Sequence, residues 1–254
     1  MGNMGGSRHL KALAAPGFWP ILRKEYKWVV KPSPGPHPIN RCIPLLILVR
    51  DVLKLAKTAR EARRLIAEGH FKIDGRVRRD YKYPVGSMDV LEIVGLDKYY
   101  RMIPVPVKVL GLVEISREEA GYKLARIENK TTVKGGHIQL NLHDGRNIIV
   151  KVNDPRNPVE DVYDTLGTLK ISIPDQEILE YIPLKEGVLA IVNGGRNVGR
   201  VGRIVSIHRG MRRYRSIVTL EDFSGSKFQT SLDYIFPIGV DKPLITLPKE
   251  VSNP

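Results

Sequence analysis

The strongest constraint on the fold is a short stretch in the first third of the chain whose pattern indicates a helix followed by a hairpin. Thr58 and Glu61 form the pattern of a capping box at a helix start, and Gly69 is typical of the residue that follows a helix end. Asp74-Gly75 lies between alternating residues and predicts a type I′ hairpin turn. We therefore expect a capped helix that leads directly into two paired strands.

That helix is predicted to be amphipathic, with a basic face. At about 100° per residue, Arg60, Arg63 and Arg64 fall on one narrow side. The opposite side is apolar and is formed by Ala59, Ala62, Leu65 and Ile66. An earlier helix is expected over residues 44–56, because apolar residues recur there at helical spacing after Pro44. A turn at residues 83–86 and a strand over residues 88–94 are expected to complete this unit.

Net charge is unevenly distributed along the 254 residues and suggests where the domains lie. Residues 1–42 carry +6, residues 43–95 carry +4, residues 96–177 are neutral, and residues 178–254 carry +4. We interpret these four ranges as a basic arm, a small helical and hairpin domain, a central domain and a C-terminal domain. The surplus of cations favours a polyanionic partner, either nucleic acid or an anionic membrane surface. The alternative is a set of basic faces that are merely solvated.

The arm is predicted to lack regular structure, because prolines interrupt it throughout. The run KPSPGPHP, residues 31–38, should be extended chain. Its cations are expected to follow a nucleic-acid backbone. Two readings exist for Trp19 and Trp28, namely stacking on exposed bases or packing onto the neighbouring domain, and we favour packing for both.

The second half of the chain is predicted to be β structure. Short β patterns alternate with polar turns in the central domain, over residues 105–113, 123–127, 138–142, 148–152 and 169–173. In the C-terminal domain, strands are expected over residues 188–192, 204–207 and 216–220. Gly195, Gly199 and Gly202 alternate with arginines in the loop after the first of these strands, and a proline-containing tail is expected to wrap back onto a barrel.

No residue pattern supports catalysis, a cofactor or a metal site. The single cysteine, Cys42, cannot form an internal disulfide and indicates a reducing compartment. No glycine run precedes a P-loop lysine, and neither a nucleophile elbow nor an HExxH zinc motif occurs. The longest apolar run, Cys42–Val49, is too short to span a bilayer, and the N-terminus has no apolar core typical of a signal peptide.

Several segments resemble one family of ribosomal proteins. The resemblance lies in Ser7–Lys11, in Lys31–His37 and in Cys42–Leu45, and it continues in Tyr83–Val90 and Tyr234–Gly239. These segments are similar to small-subunit ribosomal protein four of the "e" type, found in archaea and eukaryotes, and the pattern looks more archaeal. The helix and hairpin unit looks like that family's alpha-L RNA-binding domain, and the glycine loop resembles a KOW motif in an SH3-like barrel. One departure is Pro38, where much of the family has a basic residue.

The resemblance implies a multidomain α+β protein that is a structural constituent of the small ribosomal subunit in the cytoplasm and takes part in translation and subunit assembly. Its parts would be the Pro-rich basic arm, the two-helix and hairpin RNA-binding domain, the central all-β domain and a C-terminal SH3-like KOW β-barrel. The implied partners are small-subunit ribosomal RNA and neighbouring ribosomal proteins, with no membrane contact and no homo-oligomer. The residues expected to bind RNA are Arg8, Lys11, Arg23, Lys24, Lys27, Lys31, His37, Arg41, Lys54, Lys57, Arg60, Arg63, Arg64, Lys72, Arg76, Arg78, Arg79, Lys82, Arg196, Arg200, Arg203, Arg209, Arg212, Arg213 and Arg215.

Two other classes of function stay open at the level of sequence. A KOW-containing transcription or RNA-processing factor would use the C-terminal barrel to hold a protein partner. An RNA-modifying enzyme would need a catalytic domain, for which the neutral central region is the remaining place, and that region carries no convincing cofactor loop.

Overall fold

The computed structural model describes residues 6–154, 156, 158–211 and 215–248. Within these ranges strands outnumber helices, and three five-stranded antiparallel sheets follow one another along the chain. Two small two-stranded pairs lie near the N-terminus. This arrangement is that of a multidomain α+β protein.

A short strand pair joins two parts of the arm, and a buried tryptophan packs the arm onto the rest of the molecule. Strand β1 (Leu10–Lys11) pairs with β2 (Trp28–Val29), and 3-10 turns cover Ala12–Ala14 and Ile39–Arg41. Trp19 is 3% exposed, and its indole Nε1 donates to the Cys42 carbonyl at 2.8 Å. Trp19 therefore packs as expected. Trp28 does not, since it lies on a strand of a two-stranded pair and is 53% exposed.

The first predicted helix is shorter and less regular than its sequence pattern suggested. Helix α1 (Leu45–Ile47) continues as a π-helical turn (Leu48–Val52), in which the Leu53 amide donates to the Leu48 carbonyl at 2.8 Å. The whole run of residues 42–49 is buried. A segment that is covered on all sides has no amphipathic stripe, so apolar spacing could not define its helical type.

The second helix forms as predicted. Helix α2 (Ala59–Glu68) begins where the Glu61 amide donates to the Thr58 hydroxyl at 3.2 Å. The Glu61 carboxylate accepts from the Lys57 amide, one residue before the cap, at 2.9 Å. Gly69 ends the helix with a φ of 92°, a left-handed conformation that glycine adopts without strain. A third helix, α3, covers Arg117–Ala120.

The first sheet contains the predicted hairpin. Its strands are, in spatial order, β5 (Arg76–Val77), β4 (Phe71–Ile73), β7 (Val90–Ile93), β8 (Lys98–Ile103) and β9 (Gly111–Ile115). Asp74 and Gly75 have φ values of 50° and 73°, as a type I′ turn requires. The sheet continues across residue 95, where the charge pattern had suggested a boundary.

Two predictions within this region are wrong. Residues 83–86 do not form a turn, because β6 (Pro84–Gly86) is extended and pairs with β3 (Cys42–Pro44). Residues 105–113 do not form one strand, because Val107 and Val109 have positive φ and a turn separates β8 from β9. A proline and a glycine are accommodated in the paired strand β6, and apolar content did not reveal the exposed turn at Val107.

The second sheet lies within the central region. Its strands are, in spatial order, β12 (Asn147–Val150), β11 (Ile138–Leu142), β10 (Tyr122–Thr132), β13 (Thr168–Ser172) and β14 (Ile178–Ile182). Four of these correspond to predicted strands. Strand β10 extends five residues beyond the predicted end, since its polar second half pairs with β11.

The third sheet lies in the C-terminal region. Its strands are, in spatial order, β18 (Lys227–Ser231), β17 (Ile217–Glu221), β16 (Val201–His208), β15 (Leu189–Val192) and β19 (Ile235–Gly239). A 3-10 turn covers Leu232–Tyr234. The loop between β15 and β16 holds Gly195 and Gly199, both with positive φ, whereas Gly202, predicted in the same loop, lies within β16 opposite Ala190. The tail returns to the fold, because β19 pairs with β15 and Ile245 is buried.

The three sheets share one buried junction. A single apolar cluster joins residues from all three, namely Met88, Ile103, Leu124, Leu189, Ile191, Val201, Phe236, Ile238 and Ile245. Three further cores lie inside the arm with the first sheet, inside the second sheet and inside the third sheet. The junction fixes the sheets to one another, so the basic surfaces keep a defined spacing.

Candidate nucleic-acid interface

The basic side of α2 is a free surface, as the helical wheel predicted. Ala62 and Ile66 are buried against the core, whereas Arg60, Arg63 and Arg64 are exposed. We call these three residues the arginine face. Among the described residues, Arg60 has no ion-pair partner, and Arg64 pairs with Glu68 at 2.9 Å in an exposed i,i+4 bridge. Such bridges are weak in water, so these guanidinium groups can exchange their partners for phosphate.

The hairpin extends the basic surface beyond the helix. Arg76 and Arg79 are exposed, and the described part of the chain offers neither of them a carboxylate within ion-pair distance. Arg79 lies beside the helix end, with its Nε 3.7 Å from the position that a Cβ on Gly69 would occupy. The hairpin therefore places an exposed arginine beside the C-terminal end of α2.

A groove separates the arm from α2, and six predicted RNA-binding residues line it. We call it the arm groove, and it encloses about 1150 Å³. The six are Arg8, Lys31, Lys54, Lys57, Arg63 and Lys82. The Arg63 guanidinium lies 4.7 Å from the centre of the Tyr81 ring, and Lys82 lies 5.5 Å from the same ring. The sequence interpretation did not include Arg50, which also lines this groove and pairs with Asp51 at 2.8 Å.

Four other cations of the arm are exposed outside the groove. They are Lys11, Lys24, Lys27 and Arg41. Lys11 faces Trp28 across the β1–β2 pair, and the Lys27 ammonium lies 5.5 Å from the centre of the Trp28 ring. These four lengthen the basic surface along the arm.

Arg23 and His37 have internal partners and do not extend the exposed surface. The Arg23 guanidinium donates to the carbonyls of Ala12, Ala15 and Pro16, which closes the loop of the arm. His37 is 6% exposed, and its ring Nε2 lies 3.1 Å from both carboxylate oxygens of Asp89. Both side chains, which were expected to bind RNA, instead hold parts of the fold together.

Three more residues that were predicted to bind RNA interact with side chains of this chain. Lys72 pairs with Glu92 at 2.9 Å across the β4–β7 ladder. The Arg78 guanidinium lies 4.5 Å from the centre of the Tyr83 ring. Arg200 pairs with Asp222 at 3.0 Å and covers a phenylalanine ring. These cations have less freedom to reach RNA than those of the arginine face.

The C-terminal cations form a separate group. Arg196, Arg203, Arg209 and Arg215 are exposed on the third sheet and its loops. Arg212 and Arg213 lie outside the described residues. The four exposed arginines are not among the residues that line the arm groove, so the third sheet and its loops carry a second group of cations.

A buried ionic cluster, which the sequence pattern did not reveal, holds three parts of the chain together. The Lys123 ammonium is 1% exposed and lies 2.9, 2.5 and 2.9 Å from the carboxylates of Asp74, Asp89 and Asp144. Arg146 adds a second cation, 2.5 Å from Asp74. A lysine inside a β pattern gives no signal of this role, because its three partners come from distant positions.

The cluster shifts the pKa of its members in the directions expected for paired charges. Burial would lower the pKa of Lys123, but the three carboxylates overcome burial and raise it. Burial would raise the pKa of Asp144, but Lys123, His143 and Arg146 lower it to about 2. His37 and Lys123 likewise hold the pKa of Asp89 well below its usual range, against the effect of burial. Lys123, Asp89 and Asp144 are therefore charged at neutral pH.

Two buried arginines link elements that are distant in the chain. The Arg101 guanidinium donates to the Glu119 carbonyl at 2.8 Å and pairs with the Glu119 carboxylate at 3.1 Å. The Arg126 guanidinium donates to the carbonyls of Asp233 and Ile235 in the C-terminal region. These two buried cations hold elements of the fold together and do not contribute to the exposed basic surface.

Within the ranges that the structure covers, none of the helices is long and apolar enough to cross a membrane. The same ranges contain no group of three or more histidine, cysteine or acidic side chains arranged to hold a metal ion.

The fold and its surfaces define a class of protein, namely a multidomain protein with a basic helix-and-hairpin surface of the RNA-binding type. Family models agree with this class. The S4 domain matches residues 44–91, the RS4NT (NUC023) domain matches residues 4–40, and Ribosomal family S4e matches residues 96–178.

Relatives match over nearly the whole chain. The small ribosomal subunit protein eS4 of Desulfurococcus amylolyticus is 80% identical over 249 residues, which is 98% of this chain and 99% of the relative. The protein of the same name from Methanocaldococcus jannaschii is 49% identical, over 97% of this chain and 100% of the relative. The crystal structure of the 30S ribosomal protein S4e from Thermoplasma acidophilum superposes with a TM-score of 0.66 at 32% identity, covering 81% of this chain and 99% of that one.

The chain belongs to the S4e family of ribosomal proteins, of the archaeal and eukaryotic type. The resemblance to this family and to its S4-type RNA-binding domain is therefore confirmed. These relatives are named as ribosomal proteins, so the alternative of a transcription or processing factor has no support.

Proposed function

We propose that this chain is a structural component of the small subunit of the cytoplasmic ribosome, where it binds ribosomal RNA and neighbouring ribosomal proteins. The observation that carries the RNA contact is the arginine face, whose guanidinium groups are exposed on a helix with a buried opposite side. Guanidinium groups bind phosphate in a bidentate manner and suit this task. No catalytic step is part of the proposal, and no homo-oligomer is required.

We infer a division of work among the four parts proposed from sequence. Residues 43–95, with the arm of residues 1–42, provide the main RNA surface. Residues 96–177 act as a neutral spacer. Residues 178–254 form a KOW-type SH3-like barrel, whose five antiparallel strands and glycine-rich β15–β16 loop support that assignment. Its arginines are a second RNA contact, and Arg212 and Arg213 belong to this part of the proposal.

The test is a charge substitution on the arginine face of the full chain. In Arg60→Gln/Arg64→Gln, two phosphate contacts are lost and the buried side of α2 is unchanged. We expect weaker binding to small-subunit ribosomal RNA and a salt dependence lowered by about two in the slope of log K against log salt, roughly one for each contact. Filter binding between about 50 and 200 mM salt measures both quantities.

The matched control is Arg117→Gln/Lys134→Gln, which removes the same charge from exposed positions in the neutral region. It should bind RNA with a slope close to that of the parent chain. Equal binding by the arginine-face variant and the parent, with unchanged circular dichroism, would show that α2 is not the RNA surface.

A further inference from the structure

Three large apolar side chains that line the arm groove are exposed. Leu22, Tyr26 and Trp28 are 73%, 61% and 53% exposed, and all three line it. Between them and α2, the groove is lined by Val29, Ile47 and other apolar residues of the first core. Large apolar groups gathered in one concave surface mark a place where a partner binds.

The indole of Trp28 is held in position but keeps an open face. The His9 ring contacts it at 5.6 Å between centroids with a tilt of 56°, and the Lys27 ammonium lies 5.5 Å from its centre. The contrast with Trp19, which is 3% exposed and hydrogen-bonded to a backbone carbonyl, shows that the fold could bury a tryptophan of this arm. Half of the Trp28 surface is left to solvent.

The charges of the groove determine the kind of partner. Seven cations line it, against two acidic residues, Glu25 and Asp51. Arg50 already pairs with Asp51 through two hydrogen bonds of 2.8 and 2.9 Å. A positive groove beside exposed aromatic rings is the arrangement by which proteins bind single-stranded nucleic acid, since cations follow the phosphates and rings stack on bases. In a duplex the faces of the bases are already stacked on their neighbours, and such a ring cannot reach them.

We propose that the arm groove binds an unpaired segment of RNA, with one base stacked on Trp28 and the adjoining phosphates along Lys54, Lys57 and Arg63. The proposal rests on the proposed function, because it assigns one RNA conformation to one part of the RNA-binding surface. The groove shares Arg63 with the arginine face, but it adds an exposed aromatic ring, and neither Arg60 nor Arg64 lines it.

The experiment compares two RNA probes on the full chain, a mixed-sequence single strand of twelve nucleotides and a blunt duplex of the same length. In Trp28→Ala we expect the single strand to bind roughly 5- to 150-fold more weakly, the range for loss of one stacked base. Duplex binding should change less than twofold. The Trp28→Tyr variant should recover most of the single-strand affinity, because a smaller ring still stacks.

A matched control is available on the third sheet. Phe223 is 55% exposed and lies away from the arm groove, so Phe223→Ala should leave single-strand binding within twofold of the parent. Stacking should also quench tryptophan fluorescence in the parent, and the quenching should disappear in Trp28→Ala, since Trp19 is buried.

The outcomes separate this proposal from the proposed function. Unchanged single-strand affinity and quenching in Trp28→Ala would overturn the base-stacking site, even where Arg60→Gln/Arg64→Gln still weakens binding to ribosomal RNA. An equal loss with single strand and duplex would also overturn it, because a general effect on the arm would then explain the result. Unchanged ribosomal RNA binding in the arginine-face variant is the result that bears on the proposed function.

Discussion

At the scale of single residues, the lysines and arginines of this chain have different roles, and the residue type alone does not show which role each one has. Arg60 is exposed and available to phosphate. Arg23 is bound by three backbone carbonyls of its own arm. Lys123 is buried among three carboxylates. Removal of one member of such a buried cluster leaves an uncompensated charge, which costs about 3–5 kcal/mol, so Lys123 is needed for the fold.

His143 provides the prediction at this scale. Burial lowers its pKa to about 4, and its Nδ1 accepts a hydrogen bond from the Arg126 amide, so the folded state favours the neutral ring. In the unfolded chain the pKa returns to about 6.5, and unfolding therefore takes up a proton between these values. We expect the free energy of unfolding to be highest above pH 6.5 and to fall as pH decreases from about 6.5 to about 4. Urea unfolding at several pH values measures this decline.

The matched variants are His143→Gln and His208→Gln. The first removes the titrating ring and should flatten the decline between pH 6.5 and 4, whereas the second alters an exposed histidine and should retain it. Below pH 4 both should continue to lose stability, since the depressed pKa of Asp144 makes its stabilisation disappear as pH falls from about 4 to about 2. A parent-like decline in His143→Gln would contradict the assignment.

At the scale of elements, sequence motifs predicted a helix or turn correctly where the hydrogen bonds of that element join residues close together in the chain. The capping pattern, the terminal glycine and the Asp-Gly turn placed α2 and the β4–β5 hairpin, because each feature is satisfied within a few residues. The helix predicted over residues 44–56 did not form as one regular element, for the opposite reason. Their apolar side chains are covered from several directions, and tertiary packing selects a short α-helix and a π-helical turn.

The cap of α2 gives the prediction at the scale of elements. Thr58→Ala removes the hydroxyl that accepts from the Glu61 amide and leaves a helix-terminal N–H without that partner. We expect a loss of about 1 kcal/mol in the free energy of unfolding, the usual cost of removing such a cap. Chemical denaturation measures it. Thr165→Ala, at an exposed turn, should change stability by less than about 0.5 kcal/mol, and equal effects from the two would remove the capping role.

At the scale of the whole molecule, the sheets are joined more firmly than the alternating charge pattern suggested. The junction core contains residues of all three sheets, and Lys123 connects the second sheet to Asp74 and Asp89 of the first region. Arg126 connects the second sheet to the third region. The basic surfaces of the N-terminal and C-terminal regions are therefore connected through one set of packed sheets, which we call the framework.

This framework predicts one cooperative unfolding transition for the full chain. Loss of any one sheet would expose the apolar junction and leave buried charges without partners, so the sheets should unfold together. Differential scanning calorimetry should give a calorimetric enthalpy close to the van't Hoff enthalpy. Two separated transitions, or an enthalpy ratio well above one, would show that the parts unfold independently.

The part of the candidate RNA interface that lies on a single helix could be predicted from the sequence. The arginine face follows from helical spacing, and the structure leaves these side chains exposed. The sequence did not reveal the arm groove, because its walls come from residues 8–31 and from residues 47–63, which meet only in the folded state. The sequence also could not predict that Trp19 is buried and Trp28 is exposed, because both lie among the same cations in the same arm.

The amino-acid sequence by itself determined the family, the capped basic helix, the hairpin and the uneven distribution of charge, because these depend on residues close together in the chain. Tertiary structure decided which cations are free, which are buried with carboxylates, and how the three sheets share a core. The physical reason is that exposure and charge pairing are set by neighbours from distant positions. His37 and Asp89 show this, since a histidine of the basic arm became a buried partner only when the arm folded against the first sheet.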